Sequence, residues 1–194
     1  RQMDHDGNGD GFMDMPKLRQ YNLMHRWAYV SPRWISQLMV RGLHDEREGG
    51  QSHKHANHAS SEPLYSTSVK TNRYEMQWKN GFTLNADHNT SIALMLHGSW
   101  HDADNMFGIT QYDVTQKNGY AQLMFETDIT ENHNVSVGAS LNHDYYDERF
   151  NPLGTLPKAE SKVTKETTPG LYAQYTYKLG ETLTVMPGVR WDHS

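Results

Sequence analysis

The densest group of hard oxygen donors lies at the start of the chain, in Asp4-His5-Asp6-Gly7-Asn8-Gly9-Asp10-Gly11-Phe12-Met13-Asp14. With Asp6 as position 1, Asp6, Asn8, Asp10 and Asp14 fall at positions 1, 3, 5 and 9 of a calcium loop. Gly11 then takes the position of the sharp turn, and Phe12 offers a backbone carbonyl at position 7. Calcium takes several oxygen ligands, and this spacing supplies five: Asp6, Asn8, Asp10, Phe12 and Asp14. The bidentate glutamate that closes an EF-hand is missing, because Lys17 stands at position 12. A further ligand must come from elsewhere in the protein. The plainer alternative is a surface loop rich in glycine and aspartate that binds nothing.

Two other groups invite a chemical reading. His53, His55 and His58 lie in a polar stretch without periodicity, 46–68. Imidazoles at this spacing suit a transition metal or a metal-bearing ligand, though solvated loop histidines explain them as well. Asp144, Asp147 and Glu148 cluster near the end of an alternating run, next to Tyr145 and Tyr146. No nucleophile–base motif and no phosphate loop accompanies them, so the chain reads as non-enzymatic.

The elements that must position these residues follow from composition and period. The chain has 194 residues, no cysteine, a formal charge of −5 and 36% apolar residues. Mean hydropathy is −0.85. The charge gives no reason to expect nucleic acid. Without cysteine there are no disulfides and no thiolate sites. No apolar run approaches the roughly 18 residues of a membrane-crossing helix. Instead, apolar and polar residues alternate. Trp34, Leu38 and Val40 oppose Gln37, Met39 and Arg41. Tyr74, Met76, Trp78 and Phe82 oppose Arg73, Glu75, Gln77 and Lys79. Ile92, Leu94, Leu96 and Trp100 oppose Ser91, Ala93, Met95, His97 and His101. Ala121, Leu123 and Phe125, then Val135, Val137, Ala139 and Leu141, repeat the pattern. A period of two puts successive side chains on opposite faces of a strand. Short polar turns at 31–32, 85–89, 130–133 and 178–182 alternate with loops at 46–68, 101–110 and 147–168. About eight strands in an up-and-down order result.

The clearest hairpin is Gly170 to Asp192. Leu171, Ala173, Tyr175 and Tyr177 share a face with Leu183, Val185, Pro187, Val189 and Trp191, and aromatic residues sit near the strand ends. One face suits an apolar medium and the other meets water. This predicts an all-β, antiparallel meander in a transmembrane β-barrel with an aromatic girdle.

Gly170, Tyr172, Gln174, Tyr175, Pro187, Gly188, Arg190 and Asp192 spell G-x-Y-x-Q-Y, a turn, and P-G-x-R-x-D. This string resembles the barrel hairpins of TonB-dependent outer-membrane receptors. The N-terminal D-x-N-x-D-G-F-x-D-x-P, followed by Arg26-Trp27, is similar to a Bacteroidetes-type subgroup, cobalamin or siderophore receptor-like. The resemblance implies an arc of a larger barrel of about 22 strands, with residues 1–194 a barrel fragment lacking the plug domain. It implies an extracellular calcium-type loop at 1–19 and long extracellular loops at 46–68 and 147–168. The implied function is uptake of a scarce large ligand such as cobalamin, a siderophore or haem across the Gram-negative outer membrane. The implied partners are outer-membrane lipid, the TonB energy-coupling protein and a surface lipoprotein. Ligand contacts are expected at His53, His55, His58, Tyr145 and Tyr146, and lumen-facing positions at Glu75, Gln77, Glu126, Gln174 and Arg190. Two alternatives stay open. One is a glycan receptor using Tyr65, Tyr145, Tyr146 and Phe150. The other is a secreted calcium-dependent β-domain whose apolar face packs on a second sheet.

Overall fold

The computed structural model describes residues 5–52, 64–152, 159–180 and 182–194. Nine strands form one antiparallel sheet: β1 (Lys17–Val30), β2 (Trp34–Gly50), β3 (Ser66–Asn85), β4 (Thr90–Phe107), β5 (Thr110–Thr130), β6 (His133–Pro152), β7 (Glu160–Leu179), β8 (Leu183–Val185) and β9 (Gly188–Asp192). Each of β1 to β6 pairs with the next, and β7 pairs with both β8 and β9. No helix occurs among the described residues. The sheet is the expected all-β up-and-down meander.

The ladder registers carry the alternation across the whole sheet. Trp34, Phe82, Ile92, Phe125, Val137, Ala173 and Val189 stand in one cross-strand row. Leu94, Leu123, Ala139, Leu171 and Trp191 form the next. Trp27, Leu38, Trp78, Leu96, Ala121 and Leu141 follow. Directly opposed residues share a face, so these rows make one apolar surface, interrupted at Ser36 and Asn80, which accept the indole N–H groups of Trp78 and Trp34. No second layer covers it among the described residues. Among the described residues the only buried apolar side chain is Ala103, at 8% exposure, while Leu171, Val189 and Trp191 are 56%, 68% and 58% exposed. A face this greasy and this open is suited to acyl chains.

Aromatic rings border that surface on both sides. Near the short turns, Trp34 stacks on Phe82 with centroids 5.8 Å apart and meets Tyr29 at a tilt of 50°, with centroids 4.8 Å apart. Tyr177 stacks on His133 at 4.8 Å, and the Tyr175 hydroxyl bonds the same imidazole. At the other border Tyr74 meets Trp100 at 5.9 Å. Phe82 to Tyr74 spans about 27 Å of strand. A tilt of ~40° leaves about 21 Å along the normal, near the ~25 Å apolar band of such barrels.

The turns are chemically specified. Ser31 receives the Trp34 amide on its hydroxyl at 3.1 Å, closing the β1–β2 turn. Asn89 holds a left-handed backbone (φ 47°) that asparagine tolerates, and its side chain donates to Asp128 at 2.6 Å.

The strands reach further than their alternation suggests, and four expected boundaries are corrected, the first being the loop 1–19, which gives way to β1 already at Lys17. The stretch 46–68 is strand through Gly50 and again from Ser66. Of the stretch 147–168, Asp147 to Pro152 belongs to β6 and Glu160 onward to β7. His101 to Thr110, expected as a loop, is strand except for a turn at Gly108-Ile109, where Gly108 takes φ 61°. β3, β5, β6 and β7 have 20 or 21 residues, about twice the ~10 needed to cross a bilayer. Beyond the apolar band both faces are polar, so the period of two disappears while the backbone ladder continues. The closing strand is likewise split. Met186-Pro187 interrupts it because proline has no N–H for the ladder, yet β8 and β9 keep one register against β7.

Candidate functional site on the inner face

The face opposite the apolar rows is polar and cross-linked. Glu75 lies between Arg73, at 2.7 Å, and Arg41, at 3.5 Å. Arg190 donates to both oxygens of Asp192, at 2.7 and 2.8 Å, and to the Ser140 hydroxyl at 3.2 Å. Glu126 accepts from Asn134 at 3.1 Å. Gln77 and Gln174 share this face with Glu75, Glu126 and Arg190, as the registers require.

On the loop side of the apolar band, β5, β6 and β7 shape a cleft of about 460 Å³ lined by Gln116, Asp144, Tyr146, Glu148, Thr164 and Glu166. β6 contributes every second residue, Asp144, Tyr146 and Glu148, because only alternate positions share a face. Register then brings Gln116 and Thr164 opposite Tyr146, and Glu166 opposite Asp144. Asp144 is oriented by Asn118, which donates at 2.8 Å, and by Asn142. Glu148 accepts the Tyr112 hydroxyl at 2.6 Å, and this bond, followed by burial, pushes the Tyr112 pKa up. Three carboxylates beside a phenol make a wall of acceptors for hydroxyl, amide or ammonium groups. No nucleophile is set against a base in this cleft.

Neighbours in sequence separate here. Tyr146 is in the cleft, whereas Tyr145 is on the outward face between Lys117 and Lys165. Asp147 likewise parts from Asp144 and Glu148 and pairs with Arg149 at 3.3 Å on the outward face. Gln116, Thr164 and Glu166 carry no local signal of their own. Only strand pairing could have found them. His53, His55 and His58 lie outside the described residues.

The N-terminal loop folds on its own side chains. Asp6 accepts the amides of Gly9 and Gly11 at 2.7 and 2.9 Å. Asn8 accepts that of Asp10 at 3.0 Å, Asp10 that of Phe12 at 2.8 Å, and Asp14 that of Gly7 at 2.6 Å. Gly11, at the turn position, takes φ 86°. The loop docks on the end of β2 through a Phe12–Gln51 bridge, the Met13 amide on the Gly50 carbonyl and the Ser52 amide on Gly11. The donor set is all hard oxygen and suits calcium. Among the described residues, however, no three acidic or imidazole side chains converge on one point. Here the carboxylates are turned to the loop's own amides.

A family model described as TonB dependent receptor-like, beta-barrel matches residues 5–194. The chain belongs to this family. No curated protein and no solved structure matches it. The TonB-dependent receptors are a family of outer-membrane transport receptors, not of catalysts, and their action implies a ligand and a TonB partner. In a TonB-dependent receptor barrel the apolar rows face lipid and the cross-linked polar face lines the interior.

Proposed function

We propose that this barrel takes up a scarce large ligand, such as cobalamin, a siderophore or haem, across the Gram-negative outer membrane without covalent chemistry. The observation that carries the reading is the separation of the two faces: apolar rows on one, a hydrogen-bonded polar wall with an acidic cleft on the other. In this reading the cleft beside Tyr146 lies at the extracellular mouth, where an incoming ligand meets hydrogen-bond acceptors before it meets a plug. The N-terminal loop belongs to the same mouth. Calcium held by Asp6, Asn8, Asp10, the Phe12 carbonyl and Asp14 would stiffen it, lowering the ordering cost of ligand capture. TonB supplies the pull, and a surface lipoprotein is a further partner in this reading.

The test uses the full-length receptor, presented separately with cobalamin, a ferric siderophore, haem and an oligosaccharide. Saturable binding of one of the first three, with uptake abolished when TonB is deleted, is the expected result. Binding of the oligosaccharide alone would move the assignment to glycan import.

A further inference from the structure

The outward face carries one charged feature at the border of the apolar band. Lys117 of β5, Tyr145 of β6 and Lys165 of β7 are directly opposed in one row. The two ammonium groups lie 5.5 and 5.6 Å from the centroid of the same ring. Both lysines are exposed, and among the described residues neither is in an ion pair. The row sits level with Trp100, which faces Lys117 across β4–β5, so it lies at the girdle rather than in the loops. Just inside it, Gly98 and Gly119 oppose each other, and a Cβ at either would meet nothing within 4 Å. A gap in the side-chain cover therefore runs from the lysines toward the Leu96–Ala121–Leu141 row. Farther out, Asp102 and Asp147 occupy the next row. Asp102 repels an anion from that level, while Asp147 is balanced by Arg149 at 3.3 Å.

We propose that Lys117, Tyr145 and Lys165 form a docking site for the phosphorylated headgroup of an outer-leaflet glycolipid. The phosphate is held between the two ammonium groups, the sugar rests against the Tyr145 ring, and an acyl chain enters the gap over Gly98 and Gly119. Charge complementarity selects the occupant: two unpaired cations at a lipid–water border face the layer in which lipid phosphates lie. The site rests on the outward face meeting lipid. It leaves open which ligand the barrel carries.

The test is native mass spectrometry of the full-length receptor with added diphosphorylated lipid A. The unaltered protein is expected to retain the glycolipid. Lys117→Gln with Lys165→Gln should lose it by about tenfold or more, and Lys117→Arg with Lys165→Arg should keep it. Equal retention by the glutamine pair overturns the proposal. So does equal retention of a phosphate-free glycolipid with the same chains, or displacement by an equal concentration of inorganic phosphate. Insertion of the glutamine pair into vesicles is scored separately. Normal insertion with unchanged retention sinks this site and leaves the lipid-facing surface intact.

Discussion

Tyr172 of β7 lies across Gly138 of β6, so that a Cβ on Gly138 would collide with the ring and hydroxyl of Tyr172. The missing side chain lets Tyr172 reach over one strand and accept the Gln122 amide of β5 at 3.0 Å. Three strands are tied by one phenol. Gly138→Val should therefore destabilise the barrel by about 1–3 kcal/mol through overpacking. Urea unfolding from lipid vesicles measures it. In a Tyr172→Ala background the same valine should cost much less, and an unchanged cost would contradict the contact.

The second prediction concerns the outward face beyond the apolar band, on the β4–β5 hairpin. Asp104 opposes Asp113 there. Loss of solvent around its carboxyl, followed by the charges of Asp102 and Asp113, raises its pKa, while Lys70 pulls the other way. A raised folded-state pKa favours the protonated form. Its contribution to stability is present below the unfolded value of ~3.9 and is lost as pH rises through the folded-state value. Asp104→Asn should therefore stabilise the barrel at neutral pH, and the gain should vanish in acid. Thermal melts across pH test this, and a gain independent of pH would contradict it.

Tyr145 and Tyr146 are adjacent in sequence and opposite in environment. If the inner cleft meets the transported ligand, Tyr146→Ala should weaken ligand binding by on the order of 1 kcal/mol. Tyr145→Ala should leave it unchanged. Equilibrium binding on both variants decides, and the reverse pattern would move ligand contact away from the cleft.

Calcium binding to the N-terminal loop predicts a saturable heat in calorimetry on the full-length receptor. The heat should disappear in Asp10→Ala, whose side chain otherwise accepts the Phe12 amide. No heat with the unaltered protein, or the same heat with the variant, would remove calcium from the description.

What was legible in the sequence follows the solvent boundary. Where one face meets lipid, selection for greasy residues leaves a period of two, and rows such as Ile92–Phe125–Val137 can be read residue by residue. Past the girdle that asymmetry ends. Asp102, Asp104 and Asn105 then look like loop residues, although their backbones stay in the ladder. The closing motif was legible as a string but not as a cause. Gly170 is small because Asp192, Ser140 and Arg190 occupy the space a Cβ would need. Long-range register, which sequence spacing does not encode, assembled Gln116, Glu166 and Tyr146 into one cleft.

The most direct measurement compares two adjacent positions on β4. Leu94 is on the apolar face opposite Leu123, and Met95 is on the polar face opposite Gln122. Folding titrations of the barrel into lipid vesicles should show a cost of about 2–4 kcal/mol for Leu94→Arg and a much smaller one for Met95→Arg. Equal costs, or a larger one at Met95, would contradict a sheet that shows one side to lipid and the other to an enclosed interior.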